Sequence, residues 1–147
     1  MLATRTVLML RELAALLDSL PADRFDYAMW VGNSWQGNEA LSCGTTACAA
    51  GWATTLPNYR AAGLYMRARW PSSGIVVDRH SCLAGCDAMA SVLAISEADA
   101  EWLFMPCTWH PVWPRSPSTD ASAAEVASHI RYYLCMHDAC GIPDHEH

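Results

Sequence analysis

Residues 4–20 carry a helical period that stops at Pro21, and this decides how the chain begins to fold. Val7, Leu10, Leu13, Leu17 and Leu20 fall largely on one side of a helical wheel. Thr4, Arg5, Arg11, Glu12, Asp18 and Ser19 fall on the other. A helix with one apolar stripe docks that stripe on a core, and a proline cannot continue it. The charges at Arg5, Arg11, Glu12 and Asp18 also break up what would be the apolar region of a signal peptide, and no small-residue cleavage site follows. No segment reaches the roughly 18 apolar residues of a membrane span. The expectation is a soluble chain without a membrane partner.

The rest of the chain is punctuated in the same way. Asp26 can cap a short turn anchored by Phe25 and Trp30, and residues 32–42 are rich in Gly, Asn and Ser and read as a loop. Cys43-Gly44-Thr45-Thr46 then opens a small-residue helix from Ala47 to about Leu56, closed by Pro57. Thr45 or Thr46 is the expected N-cap, because a hydroxyl accepts an unpaired amide of the first turn. Tyr65 to Trp70 alternates polar and apolar, Pro71-Ser72-Ser73-Gly74 is turn chemistry, and Ile75-Val76-Val77 is β-branched. Together they predict one β-hairpin. Helix resumes from Cys82 or Ala84 to Ala94, with Met89, Val92 and Leu93 facing the core. Ser96-x-x-Asp99 and Ser122-x-x-Glu125 read as capping boxes that start two more helices. Four prolines and two tryptophans between 106 and 118 predict an irregular but ordered loop, since loop aromatics usually pack on something.

With 147 residues the chain is one domain's length. Hydrophobic residues make up 52% and charged ones 16%, which excludes a disordered chain. Fifteen acidic against nine basic residues, all nine Arg, give a net charge of −6. A general nucleic-acid binder carries the opposite balance. Seven cysteines, an odd number, fit free thiols in a reducing compartment.

Three blocks carry a resemblance. They are Phe25-Asp26-x-x-x-Trp30, then Cys43-Gly44-Thr45-Thr46-Ala47-Cys48-Ala49-Ala50-Gly51-Trp52-Ala53, then Leu93-x-Ile95-Ser96-x-x-x-Ala100-x-x-Leu103-Phe104. This pattern resembles a group of small bacterial and phage proteins to which no activity is assigned. In that group the residue after the leading Leu of the third block is often Gly, where this chain has Ala94. The resemblance implies a bacterial or phage source and a cytoplasmic setting, and no reaction.

Several constellations can carry chemistry. A thiol at Cys43 ahead of a helix start lies near unpaired amides, which favour thiolate. With Gly44, Thr45 and Thr46 it can bind a small anion, or it can act as a nucleophile with His110 or His80 as base. The plainer reading is that Cys43 and Cys48 pack, Gly44 turns and a Thr caps. Cys135-x-His137-x-x-Cys140 is a zinc half-site, with Cys82, Cys86, Cys107 and His110 as further ligands, although no Cys-x-x-Cys knuckle supports it. Cys82 and Cys86 would equally share one helix face as core residues. Trp35, Trp109 and Trp113 lie in loops, where exposed Trp is enriched at recognition surfaces, or they simply cover the core. Arg67 and Arg69 share one face of the predicted strand and read as a solvated face or as a clamp for an anion near Cys43.

The sequence thus predicts an α+β domain, mainly α, of four to five helices and one small hairpin spanning 1–147, with no cofactor. Its expected role is a small acidic accessory protein that binds a host protein or a small anionic ligand. Rival readings are a Cys43 enzyme and a zinc-stabilised module.

Overall fold

Helix α1 (Thr4–Ser19) buries Met9, Leu10, Leu13, Ala14 and Leu17. These are the apolar positions of one face, so the period in the sequence is the period of burial. A computed structural model describes residues 2–27, 47–69 and 73–137 of the chain. Over these residues the protein is mainly helical with one two-stranded antiparallel sheet.

After Pro21 the chain makes a single 3-10 turn, Ala22–Arg24. Phe25 then pairs in parallel with Ala47, with Asp26 N–H donating to Ala47 O at 3.1 Å and Ala47 N–H to Arg24 O at 3.2 Å. This bridge holds Ala47 extended, so helix α2 (Ala49–Ala53) starts two residues later than the sequence suggests. Its N-cap is Cys48 rather than Thr45 or Thr46. Nor does one helix run on to Pro57. Thr54 Oγ1 and Thr55 Oγ1 fold back onto the carbonyls of Gly51 and Trp52, and Pro57 becomes the first residue of α3 (Pro57–Ala61). Proline suits that position because its missing N–H has no helical partner there. The split raises the number of α-helices to six among the described residues.

Strands β1 (Leu64–Arg69) and β2 (Ser73–Asp78) pair Leu64 with Asp78 and Arg69 with Ser73. At the open end of the hairpin Asp78 gathers three donors: His80 N–H at 2.9 Å, Ser81 Oγ at 2.9 Å and Ser91 Oγ at 2.7 Å. Burial works against its charge, but these hydrogen bonds prevail and hold its carboxyl below the ordinary Asp range. Gly63 is required beside this knot. Its φ is +110°, and a Cβ there would lie 2.7 Å from His80 Cδ2 and 2.9 Å from Asp78 Oδ1.

Helix α4 (Cys86–Leu93) begins after Cys82, which stands in the preceding turn with φ +63°. Cys82 and Cys86 therefore do not share a helix face. Helices α5 (Glu97–Phe104) and α6 (Ala123–Met136) both start as the capping serines predict, Ser96 Oγ accepting Asp99 N–H and Ser122 Oγ accepting Glu125 N–H, each at 3.1 Å. Helices α1 and α6 pack along one another, and the core runs from α1 through α2, α4 and α5 to α6.

Buried hydroxyls tie the elements together through backbone carbonyls. Thr6 Oγ1 donates to Leu93 O at 2.7 Å at the end of α4, and Tyr27 OH to Leu103 O at 3.0 Å at the end of α5. Tyr59 OH donates to Met9 O at 2.9 Å, joining α3 to α1. Burial raises both tyrosines well above the ordinary phenol range, so they stay donors at all physiological pH. No helix among the described residues is long and apolar enough to cross a membrane.

Candidate functional site

Of the residues that the sequence singles out, Cys43, Gly44, Thr45, Thr46, Trp35 and Cys140 lie outside the described residues, as does the side chain of Arg69. Next to that segment, Cys48 is buried at the start of α2. Burial pushes its thiol up to about 11 against the lowering pull of the Gly51 and Ala50 amides, so the sulfur is a protonated packing group. Around the hairpin, Arg79 covers the Tyr65 ring at 4.0 Å and Arg67 is exposed. Cys135 is exposed near the end of α6, and His137 is half-buried beside Asp99. No group of three or more His, Cys, Asp or Glu side chains suited to a metal ion occurs among the described residues.

The most elaborated local structure lies over α5 and α6, in the loop of residues 106–118. Backbone and hydroxyl hydrogen bonds pin its two ends together. Cys107 N–H donates to Pro117 O at 2.8 Å, Ser116 N–H to Thr108 O at 3.0 Å, and Thr108 N–H to Ser116 Oγ at 2.7 Å. Ser116 Oγ and Thr108 Oγ1 both donate to Met105 O, the carbonyl that caps α5. From below, Trp102 Nε1–H donates to Pro114 O at 2.6 Å. Four prolines remove backbone donors, so hydroxyl hydrogen bonds supplement the two backbone ones in closing the loop.

His110 is the internal peg. Its Nδ1 accepts the N–H groups of Val112 (3.1 Å) and Trp113 (3.3 Å), and its Nε2–H donates to Asp99 Oδ1 at 3.0 Å. The ring stacks on Trp113 with centroids 4.1 Å apart and planes 11° from parallel. Asp99 also accepts Tyr133 OH on Oδ2 at 2.9 Å, and His137 Nε2 stands 3.8 Å from the same oxygen without a hydrogen-bond partner. One carboxylate therefore joins the loop to α6. Trp102 lies beneath, against Trp113 at 4.9 Å and His129 at 3.8 Å between ring centroids, with His129 Nε2–H donating to Trp102 O.

The pinned loop turns two side chains outward. Trp109 is 70% exposed and Val112 76%, while Trp113 between them and the helix is packed inward. The sequence groups Trp109 with Trp113, and the structure separates them. Met105 on the rim and Tyr132 and Met136 on α6 are also exposed. What sequence reasoning misses is Asp99 and Tyr133. Asp99 reads there only as a capping residue, and nothing local links it to a tyrosine 34 positions away.

Both nitrogens of His110 are engaged, Nδ1 by amides of the loop and Nε2 by Asp99 of α5. No protein-family model, curated protein or solved structure matches this chain. The functional reading therefore rests on this chain's own geometry.

Proposed function

We propose that this chain is a small binding domain that recognises a protein partner through the loop of residues 106–118. The single observation behind this reading is the contrast within that loop: hydrogen bonds join its two ends and hold His110 inside it, yet Trp109 and Val112 point into solvent. An indole held out by a prepaid backbone loses little conformational freedom on docking. A Trp closed off from water at the centre of an interface contributes about 2 kcal/mol or more when truncation to Ala measures it. The acidic chain, at −6, favours a protein partner over a nucleic-acid backbone. The resemblance to small bacterial and phage proteins extends the proposal to a non-catalytic accessory protein acting in a bacterial cytoplasm.

The test places a photo-crosslinking residue at Val112 and, as a control, at Arg67 on the hairpin, in full-length protein exposed to bacterial lysate. The expected result is a discrete adduct from position 112 that disappears in the Trp109→Ala background and is absent from position 67. Adducts of equal pattern from both positions, or indifference to Trp109→Ala, would overturn the reading.

A further inference from the structure

Beside the pinned loop, between the start of α4 and the end of α5, the surface opens into a groove of about 420 Å³. Ala84, Cys86, Met105 and Pro106 give it an apolar lining, Thr108 closes it toward the loop, and Asp87 and Glu101 bring two carboxylates to it. Thr108, which lines the groove, is the immediate neighbour of Trp109 in the chain, so the groove borders the loop that carries that indole. Met105 is shared by both, since its side chain is 40% exposed and its carbonyl anchors Thr108 and Ser116.

Two features define what fits. Neither carboxylate has a hydrogen bond or ion pair among the described residues, and no basic residue lines the groove. The Thr108 hydroxyl is spent on Met105 O, and the Cys86 thiol is uncharged at neutral pH. Burial first, then Glu101 and Asp87, push it up to about 12. The groove therefore offers two unpaired negative charges set against apolar walls, and no nucleophile. A guanidinium is the complement, because it is planar, weakly hydrated and carries a long apolar stem.

We infer that the groove takes an arginine-bearing segment of the protein partner, its guanidinium at Asp87 and Glu101, its stem along Met105 and Pro106, and an apolar neighbour on Trp109. This deepens the reading of the loop as a recognition face and rests on it. Charge complementarity selects the occupant, and continuity with Trp109 selects the place.

The probe is the acetylated, amidated tripeptide Leu-Arg-Leu, titrated into isotope-labelled full-length protein and followed by backbone amide shifts. Leu-Ala-Leu is the control. Shifts are expected to centre on Asp87, Glu101, Met105 and Thr108 and to require the Arg. The double substitution Asp87→Asn, Glu101→Gln is expected to weaken binding roughly fivefold, as is raising salt from about 0.05 M to about 0.5 M. Both residues are exposed, so unchanged melting of the variant serves as the folding control. No binding at millimolar peptide, shifts centred elsewhere, equal binding of Leu-Ala-Leu, or indifference to the double substitution would each overturn the groove. In the crosslinking experiment, an adduct lost in Trp109→Ala but kept in the double variant overturns the groove and leaves the loop reading intact. An adduct kept in both overturns the loop reading.

Discussion

His110 Nε2–H donates to Asp99 Oδ1 across 3.0 Å, and this bond ties the loop's interior to the first turn of α5. Asp99 is also the residue whose N–H the Ser96 cap accepts, so its backbone is anchored at the start of α5. Its other oxygen takes Tyr133 OH, and burial first, then this carboxylate, holds the phenol above its ordinary range. The two donors at one carboxylate give the first prediction.

Asp99→Asn presents one carbonyl oxygen and one NH₂ to two donors, so either His110 or Tyr133 must face another donor. The expected loss is about 1–2 kcal/mol in urea unfolding. Amide exchange should quicken at Val112 and Trp113, whose N–H groups depend on His110 staying in place. Unchanged exchange in the loop would refute the link between Asp99 and loop order.

His129 supplies the pH dependence. Burial against Trp102 lowers its pKa, only partly opposed by the hydrogen bond to Trp102 O. The unfolded chain, with a His pKa of about 6.5, then binds more protons than the folded one just below that pH. Its contribution to stability is present above about pH 6.5 and is lost as pH falls through the lower folded value. The slope of stability against pH between about 6.5 and 5 should flatten in His129→Gln, read by chemical denaturation at several pH values. At still lower pH, protonation of Asp78, whose carboxyl is held below its ordinary range, should remove a further increment.

Thiol reactivity should follow exposure and charge. Cys82, Cys107 and Cys135 are exposed, whereas Cys48 and Cys86 are pushed up to about 11 and about 12. Iodoacetamide at about pH 7.5 should modify the first three in the native protein, and Cys48 and Cys86 only on unfolding, as mass spectrometry of timed digests would show. Native Cys48 reacting at the rate of Cys82 would contradict the burial described. The same digests report on Cys43, which should outpace Cys82 only if its thiol is a lowered, activated one.

Ala94 ends α4 with φ +55° and ψ +47°, the left-handed conformation, while Ile95 N–H reaches back to Ala90 O at 3.0 Å. This is the position at which helices usually place Gly. A side chain there is strained by about 1 kcal/mol. Ala94→Gly should therefore raise stability by up to about 1 kcal/mol, less whatever Gly adds to the entropy of the unfolded chain. A lower melting temperature would show that the Ala94 methyl does packing that outweighs the strain.

Short-range signals in the chain decide the stripe and stop of α1, the two serine caps and the hairpin. Each depends on neighbours within four or five positions, where a period, a hydroxyl or a proline acts on its own backbone. Tertiary structure alone decided that Cys48 caps α2, because a strand-like bridge to Phe25 holds Ala47 extended. It also decided that Trp113 packs while Trp109 faces water. Those two rings lie in one proline-rich stretch with similar local chemistry. What separates them is a histidine, an aspartate and a tyrosine brought together from three elements, and contacts of that range leave no period or spacing in the chain.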